Sequence, residues 1–315
     1  MAGDQQLWVA ERVTVTVPER FSDDTLAREG EVARDWLDGL PALFSELCER
    51  WQLSVDGPPM HGYLGMVVPV TRDGEEYVLK VSWVCEETRT EWVALSAWDG
   101  DGAVRLLAAD PEAGAMLLER LDPRRSLNCQ SLGVAVPAAG RLLRRLAVPV
   151  PAAVAHMLPS LGAWAGRFSA ELPGRWQALG QPFPRPLLDE AVELAATLAP
   201  AAGALLVNRD LHYANVLAGE REPWLVIDPK VVTGAAEFGL APLLWRRLHQ
   251  AGGPSGLRYR LAALIDAAEL DTQLTRAWTL LHVISYWLWS LEAGLTRDPE
   301  RCETVTGWLA LARLP

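Results

Sequence analysis

The sequence predicts an α+β protein, in which a small, mainly antiparallel sheet comes first along the chain and a larger helical region follows. Strand-like alternation of apolar residues is concentrated between residues 55 and 120. Apolar spacings of three and four residues dominate afterwards, and a polar loop between two short apolar strands interrupts the helical part. We therefore expect a first domain over residues 1–120 and a second over 121–315.

The N-terminal region combines a strand with helices. β-branched residues in partial alternation predict a strand over 7–17. From 21 to 51 the apolar residues recur at helical spacing. Pro41 lies within this stretch, and its ring and missing N–H disfavour a helix interior, so we expect two helices separated there.

The sheet is predicted from alternating segments that follow these helices. In one of them Lys80 stands in the middle of an apolar strand, on the opposite face from Leu79 and Val81. A buried cation needs a partner, and Glu87 or Glu91 on the next predicted helix could supply it, one turn apart. The elements expected here are strands over 63–70, 76–83, 104–109 and 115–120, a turn at 72–74 and a helix over 86–98.

The second half of the chain is rich in alanine and proline. Pro137, Pro149, Pro151 and Pro159 are expected to interrupt helical segments. The elements expected here are helices over 152–171 and 186–199, short strands over 205–208 and 224–228, and helices after Phe238.

Composition and charge narrow the class of function. The net charge of −11 argues against a nucleic-acid partner, which would require a basic surface. This acidic charge suits a cationic small molecule, although solubility alone also explains it.

No apolar run approaches the roughly 18–20 residues of a membrane span, and residues 1–10 show no secretory pattern. Four dispersed cysteines indicate reduced thiols in a cytoplasmic protein.

A polar loop between two predicted strands carries the strongest functional signal. Asp210 and Asn215 lie five positions apart, and Asp228 ends the second strand. Phosphoryl transfer needs a carboxylate that receives the hydroxyl proton and hard oxygen ligands for Mg²⁺. Asp210 can serve as the first, and Asn215 with Asp228 as the second. The sequence therefore predicts phosphoryl transfer to a hydroxyl.

The first half of the chain offers groups that such a centre requires. Lys80 can reach nucleotide phosphates. The loop that contains Gly62 and Gly65 precedes its strand, and glycine lets the backbone approach phosphates closely.

The order of these residues resembles the eukaryotic-like kinase superfamily. RDLHYANVL (209–217) with WLVIDPK (224–230) is similar to the aminoglycoside phosphotransferase family, in particular its streptomycin 6-kinase and hydroxyurea phosphotransferase branch. Supporting segments are VLKVSW (78–83), EWVALSAWDGDGAVRLL (91–107) and MLLERLDPRRSL (116–127). The resemblance runs from about residue 37 to 295 and implies a two-lobed, protein-kinase-like fold that binds ATP and Mg²⁺ between its lobes.

The resemblance also implies a role for individual residues. Asp210 would be the catalytic base, and Asn215 and Asp228 the magnesium ligands. Lys80 would hold phosphates with Glu91 as its partner. Residues 118–121 would form the hinge, where the backbone of Glu119 and Leu121 meets the adenine edge.

Two departures from the family pattern stand close to the catalytic loop. Asn208-Arg209 replaces the usual His-Gly before the catalytic aspartate. Residues 233–239 contain no aspartate, whereas kinases often brace the loop with one there. Lys230 could contact phosphate or form a surface salt bridge, and His212 is expected to be structural, because Asp210 already fills the role of base.

The acceptor is expected to be a small molecule that carries a hydroxyl, and the acidic net charge of the chain suits a cationic one. By resemblance it is an aminoglycoside or aminocyclitol antibiotic such as streptomycin, and Glu237 and Glu292 are candidate carboxylates for binding it. An amino-sugar or other metabolite kinase is the alternative within the enzyme class. A nucleotide-binding pseudokinase without turnover is the alternative outside it.

Overall fold

The computed structural model describes residues 15 to 310, and their α-helices and short strands form an α+β fold, as predicted. The chain divides into two compact units. The first contains the described residues up to Arg89 together with Leu106–Arg120. The second contains Thr90–Arg105 and the described residues from Leu121 onward.

The first unit is built on an antiparallel sheet with strand order β1-β3-β4-β6-β5, and β2 also pairs with β3. Its elements are α1 (Glu19–Glu29), α2 (Arg34–Trp51), β1 (Ser54–Val55), β2 (Met60–His61), β3 (Gly65–Arg72), β4 (Glu75–Ser82), β5 (Leu106–Asp110) and β6 (Ala115–Glu119). The predicted strand over 7–17 lies mostly outside the described residues, and its described part, 15–17, has no regular secondary structure.

Helix α2 is continuous through Pro41, so the predicted break there is wrong. The chain instead turns at Gly30, whose φ of 76° is accessible mainly to glycine. Leu37, Leu40 and Phe44 form a buried stripe on α2 that spans Pro41 and packs in the core of the sheet. Apolar burial across the proline offsets the backbone hydrogen bond that its ring removes.

Strands β3 and β4 form the hairpin predicted from the Arg72-Asp73-Gly74 turn. Asp73 and Gly74 have φ angles of 54° and 84°, as a two-residue hairpin loop requires. Strand β4 lies between β3 and β6, and Lys80 pairs across it with Val67 on one side and Met116 on the other. Lys80 therefore occupies a central strand.

The helix predicted over 86–98 is shorter than expected. The Thr88 hydroxyl donates to the carbonyl of Trp83 at 2.6 Å and accepts from the amide of Cys85 at 3.0 Å. These side-chain bonds give the backbone a turn in place of a helix. Helix α3 (Glu91–Trp98) begins only at Glu91, so Glu87 and Glu91 do not share a helix face.

The second unit is mainly helical. Its further elements are α4 (Leu132–Leu146), β7 (Val148–Pro149), α5 (Leu161–Ala178), α6 (Arg185–Leu198), β8 (Leu205–Asn208), β9 (Val216–Leu217), β10 (Leu225–Val226), β11 (Val231–Gly234), α7 (Pro242–Trp245), α8 (Pro254–Ala268), α9 (Thr272–Glu292) and α10 (Arg297–Ala310). Pro137 lies inside α4 and does not interrupt it. The helix predicted from residue 152 starts at Leu161.

Two small sheets in the second unit frame the polar loop. One has the order β11-β8-β7, and the other pairs β9 with β10. Helix α9 packs against the 3₁₀ helix over Ala236–Leu240, where His282 stacks on Phe238 with ring centroids 4.2 Å apart. Within residues 15–310, no helix combines the length and apolar character that a bilayer crossing requires.

Candidate active site

The polar loop of residues 209–215 is tied at both ends to the segment that carries Asp228. At its start, the Arg209 amide donates to the carbonyl of Lys230 at 2.8 Å. At its end, the carbonyl of Asn215 accepts from the Ile227 amide at 2.9 Å. These two bonds bring the backbone of the Asp210–Asn215 loop alongside that of Asp228, although thirteen positions separate Asn215 from Asp228.

Asn208 adds a side-chain link between the same two segments. Its Oδ1 accepts hydrogen bonds from the amides of Asp210 at 3.1 Å and Lys230 at 3.3 Å. The residue is 4% exposed. Sequence reasoning noted Asn208 only as a departure from the family pattern, because a contact across twenty-two positions leaves no mark on the local sequence.

Asp228 stands in an unusual backbone conformation. Its φ of 49° lies in the left-handed region, which non-glycine residues rarely adopt and which often marks functional sites. Its Oδ1 lies 3.2 Å from Nζ of Lys230. The Lys230 side chain is 9% exposed and the Asp228 side chain 40% exposed, so the ion pair joins a buried cation to a carboxylate that solvent can reach.

Asp210 is a carboxylate whose basicity is raised by its surroundings. Desolvation raises its pKa to about 6, against the opposing effect of the Lys230 cation, and the Asp228 carboxylate contributes to the increase. A carboxylate with this pKa is a competent base near neutral pH.

His212 lies beside this carboxylate, with Nε2 3.9 Å from Oδ1 of Asp210. Burial lowers the pKa of His212 to about 4, so its ring is neutral at physiological pH. A buried imidazole with this pKa is a weaker base than the Asp210 carboxylate.

The polar loop of residues 209–215 is anchored by Tyr213, which is fully buried. Its hydroxyl donates to the carbonyl of Leu243 at 3.1 Å, and its own carbonyl accepts from the Ser126 hydroxyl at 3.1 Å. Together with Asn208, these contacts hold the 209–215 loop, whereas residues 233–239, which follow Asp228, contain no aspartate.

The remaining nucleotide-site candidates occupy diverse environments. Lys80 is 7% exposed within β4, Glu91 is buried at the start of α3, and Glu119 ends β6. Gly65 is required by packing, because a Cβ there would lie 2.7 Å from Oγ of Ser82. The last two candidates, Gly62 and Leu121, lie outside regular helices and strands.

The two candidate acceptor carboxylates are placed differently from each other. Glu292, at the end of α9, accepts two hydrogen bonds from the Arg175 guanidinium at 2.9 and 2.8 Å. Glu237 is half-buried in a short 3₁₀ helix over Ala236–Leu240. Neither lines the cavity of about 510 Å³ that adjoins the catalytic loop at His212 and Ala214.

Comparison with known proteins assigns this chain to a family. The family model of the aminoglycoside/hydroxyurea antibiotic resistance kinases matches residues 50–294. The chain belongs to this family. It is therefore a small-molecule kinase, and the resemblance identified from its sequence is confirmed.

The relatives of this kinase include two kinds of enzyme, streptomycin 6-kinases and a hydroxyurea phosphotransferase. It is 39% identical to a streptomycin 6-kinase of Streptomyces griseus, over 90% of this chain and 93% of the relative. It is 40% identical to a hydroxyurea phosphotransferase of Kitasatospora aureofaciens, over 91% of this chain and 84% of the relative. The two identities are nearly equal.

Solved structures show the fold of this kinase. An aminoglycoside phosphotransferase in complex with ADP and hygromycin B superposes with a TM-score of 0.61 at 13% identity, covering 86% of this chain and 98% of that one. A choline kinase from Streptococcus pneumoniae gives a TM-score of 0.53 at 12% identity, covering 86% and 99%. The predicted two-lobed, protein-kinase-like fold is confirmed.

Proposed function

We propose that this kinase transfers the γ-phosphoryl group of ATP to a hydroxyl of an aminoglycoside or aminocyclitol such as streptomycin, and that it acts in the cytoplasm, where ATP is available. The observation that carries the proposal is the joining of the Asp210–Asn215 loop to the Asp228 segment by backbone and side-chain hydrogen bonds. The streptomycin 6-kinases among the relatives, 39% and 38% identical, support this choice of acceptor.

Asp210 is proposed to act as the catalytic base. The acceptor hydroxyl gives its proton to the Asp210 carboxylate while its oxygen forms a bond to the γ-phosphorus, and the bond from that phosphorus to the β-phosphate oxygen breaks. ADP leaves with the electron pair of the broken bond. A pKa of about 6 keeps most Asp210 side chains ionised at pH 7 and able to accept this proton.

Asn215 and Asp228 are proposed to hold Mg²⁺. One amide oxygen and one carboxylate form the hard-oxygen donor set that Mg²⁺ prefers, with phosphate and water as the other ligands. When bound, the ion neutralises charge on the transferred phosphoryl group. The left-handed backbone at Asp228 fixes where its carboxylate is presented.

The nucleotide is proposed to contact residues from several parts of the chain. Lys80 would bind phosphate oxygens, with Glu91 as its partner. The loop with Gly62 and Gly65 would lie near the phosphates, and the backbone of Glu119 and Leu121 near the adenine. Glu237 and Glu292 stay candidates for a cationic acceptor, although Glu292 would first have to leave Arg175.

An acceptor panel tests this proposal. Purified kinase with ATP and Mg²⁺ is assayed for ADP release with streptomycin, hydroxyurea, a 2-deoxystreptamine aminoglycoside and glucosamine, and the Asp210→Asn variant serves as the inactive control. We expect the highest kcat/KM with streptomycin. Turnover only with glucosamine would favour a metabolite kinase, and nucleotide binding without turnover on any acceptor would favour a pseudokinase.

A further inference from the structure

The cavity beside the catalytic loop is lined by cations. Arg246, Arg247 and Arg301 face it together with His212 and His249, and none of its lining side chains is a carboxylate. The chain as a whole carries a net charge of −11. Another cavity of similar size, about 560 Å³, has a lining of both signs that includes Arg258, Asp266 and Glu269. The cationic lining is therefore a local feature of this site.

The loop that carries Arg246 and Arg247 is held by a fourth arginine, which is buried. Arg260 on α8 is 3% exposed. Its guanidinium donates to the carbonyls of Arg246 at 3.2 Å and Arg247 at 3.3 Å. A buried charge with these partners fixes the backbone of the loop and so the origin of both side chains.

Arg247 is constrained in both backbone and side chain. Its φ is 56°, in the left-handed region, and strained conformations of this kind cluster at ligand sites. Its Nε and Nη2 donate to Oε1 of Gln250 at 3.1 and 2.7 Å, and its Cζ lies 5.6 Å from the centroid of the Tyr213 ring. Within residues 15–310 its buried Nη1 has no hydrogen-bond acceptor.

The charges of the lining are only partly neutralised by the protein. Arg301 donates to Asp298 at 2.9 Å. No ion pair joins Arg246 or Arg247 to a carboxylate in the part of the chain that the structure describes. Among the nearby carboxylates, Asp210 lies 3.9 Å from Nε2 of His212, and the Arg246 cation lowers the pKa of that carboxyl. The guanidinium groups at this cavity outnumber the carboxylates near it. Such a group of guanidinium cations can bind an oxyanion through charge-assisted hydrogen bonds.

We propose that this cavity binds a phosphate-class dianion next to the catalytic loop. Such a dianion has two sources, free inorganic phosphate or the phosphate group of an ester, including the ester that the kinase forms. In either case Arg247 is its principal ligand, with Arg246 and Arg301 contributing. The proposed transfer reaction does not require this site. An experiment can therefore contradict the phosphate site without contradicting the transfer reaction, and the reverse.

Calorimetric titration of inorganic phosphate tests the site. The protein is first saturated with a non-hydrolysable ATP analogue, so that the α-, β- and γ-phosphate positions are all occupied, in a buffer free of sulfate. We expect phosphate to bind the wild type and to bind Arg247→Gly roughly tenfold more weakly. Glycine suits the left-handed backbone at this position. Arg185→Ala removes one exposed arginine elsewhere on the surface and is expected to leave phosphate affinity unchanged.

The two sources of the dianion are separated by a second titration with glycerol 3-phosphate. Tighter binding of the ester than of inorganic phosphate, lost in Arg247→Gly, would identify an ester as the ligand. Equal or weaker binding of the ester would identify free phosphate. Absence of phosphate binding in the wild type, or equal affinity in a folded, ADP-binding Arg247→Gly protein, would overturn the proposal. Arg301→Gln provides a second variant, expected to weaken phosphate binding less than Arg247→Gly.

Discussion

The side-chain oxygen of Asn208 accepts a hydrogen bond from the backbone amide of Lys230 at 3.3 Å, two residues beyond Asp228. The same oxygen accepts from the amide of Asp210 at 3.1 Å. One buried amide group thus connects the segment of the proposed base with the segment of the proposed metal ligand. We therefore expect Asn208 to act by positioning these two segments.

Removal of this link is expected to impair the chemical step more than nucleotide binding. In Asn208→Ala the two amides lose their shared acceptor, and we expect kcat to fall roughly ten- to a hundredfold, because small misplacements of catalytic groups are costly. Asn208→Asp keeps an oxygen acceptor and should retain more activity at pH 8. Steady-state kinetics with varied ATP check this, and an unchanged kcat in Asn208→Ala would contradict the positioning role.

Lys230 is expected to set the acidic limb of the pH profile. Activity should fall as pH drops through about 6, where Asp210 takes up a proton. Because the Lys230 cation lowers the pKa of Asp210, Lys230→Met should move this limb to higher pH, whereas Lys230→Arg should keep it near its original position. Profiles of kcat/KM from pH 5 to 9 measure the limb. Identical limbs in the wild type and Lys230→Met would be inconsistent with this coupling.

His282 is expected to make the fold sensitive to acid. Burial lowers its pKa to about 3, below the value near 6.5 of an exposed histidine. Between these two pH values His282 binds a proton in the unfolded chain and not in the folded chain. The free energy of unfolding therefore decreases as pH falls, by up to about 1.4 kcal/mol per pH unit.

A variant of His282 isolates this contribution. In His282→Asn the side-chain amide can still donate to the carbonyl of Phe238, as Nδ1 does at 3.0 Å, but it does not titrate. The loss of unfolding free energy between pH 6.5 and 4.5, measured with urea, should be smaller in this variant. Equal losses in both proteins would show that His282 does not titrate as described.

Gly65 is expected to matter for packing of the sheet. A Cβ at this position would lie 2.7 Å from Oγ of Ser82 and 2.8 Å from the carbonyl oxygen of Val81. Gly65→Ala should therefore reduce stability by about 1–3 kcal/mol. Gly62→Ala is the matched control, since a Cβ there meets nothing within 4 Å. Equal stability of the two variants in thermal melts would argue against this packing requirement.

Elements whose conformation depends on neighbouring residues were predicted correctly from the sequence. The Asp73-Gly74 pair predicted the β3–β4 hairpin, because positive φ angles are demanded locally. The ring and missing N–H of Pro41 predicted a helix break that does not occur, because burial of the apolar stripe on α2 outweighs the one lost hydrogen bond. The contacts of Asn208 with Lys230 and of Arg260 with Arg247 were not predicted, because each joins segments that are distant in sequence.

The proposed mechanism is tested most directly by the turnover of Asp210→Asn. The substitution keeps the shape of the side chain and removes the base, so we expect ADP release with the best acceptor to fall at least roughly a thousandfold. Affinity for ATP, measured by calorimetry, should stay within about threefold, because Asp210 contacts the acceptor in this mechanism. A variant that binds ATP and turns over within about tenfold of the wild type would contradict the role of Asp210 as catalytic base.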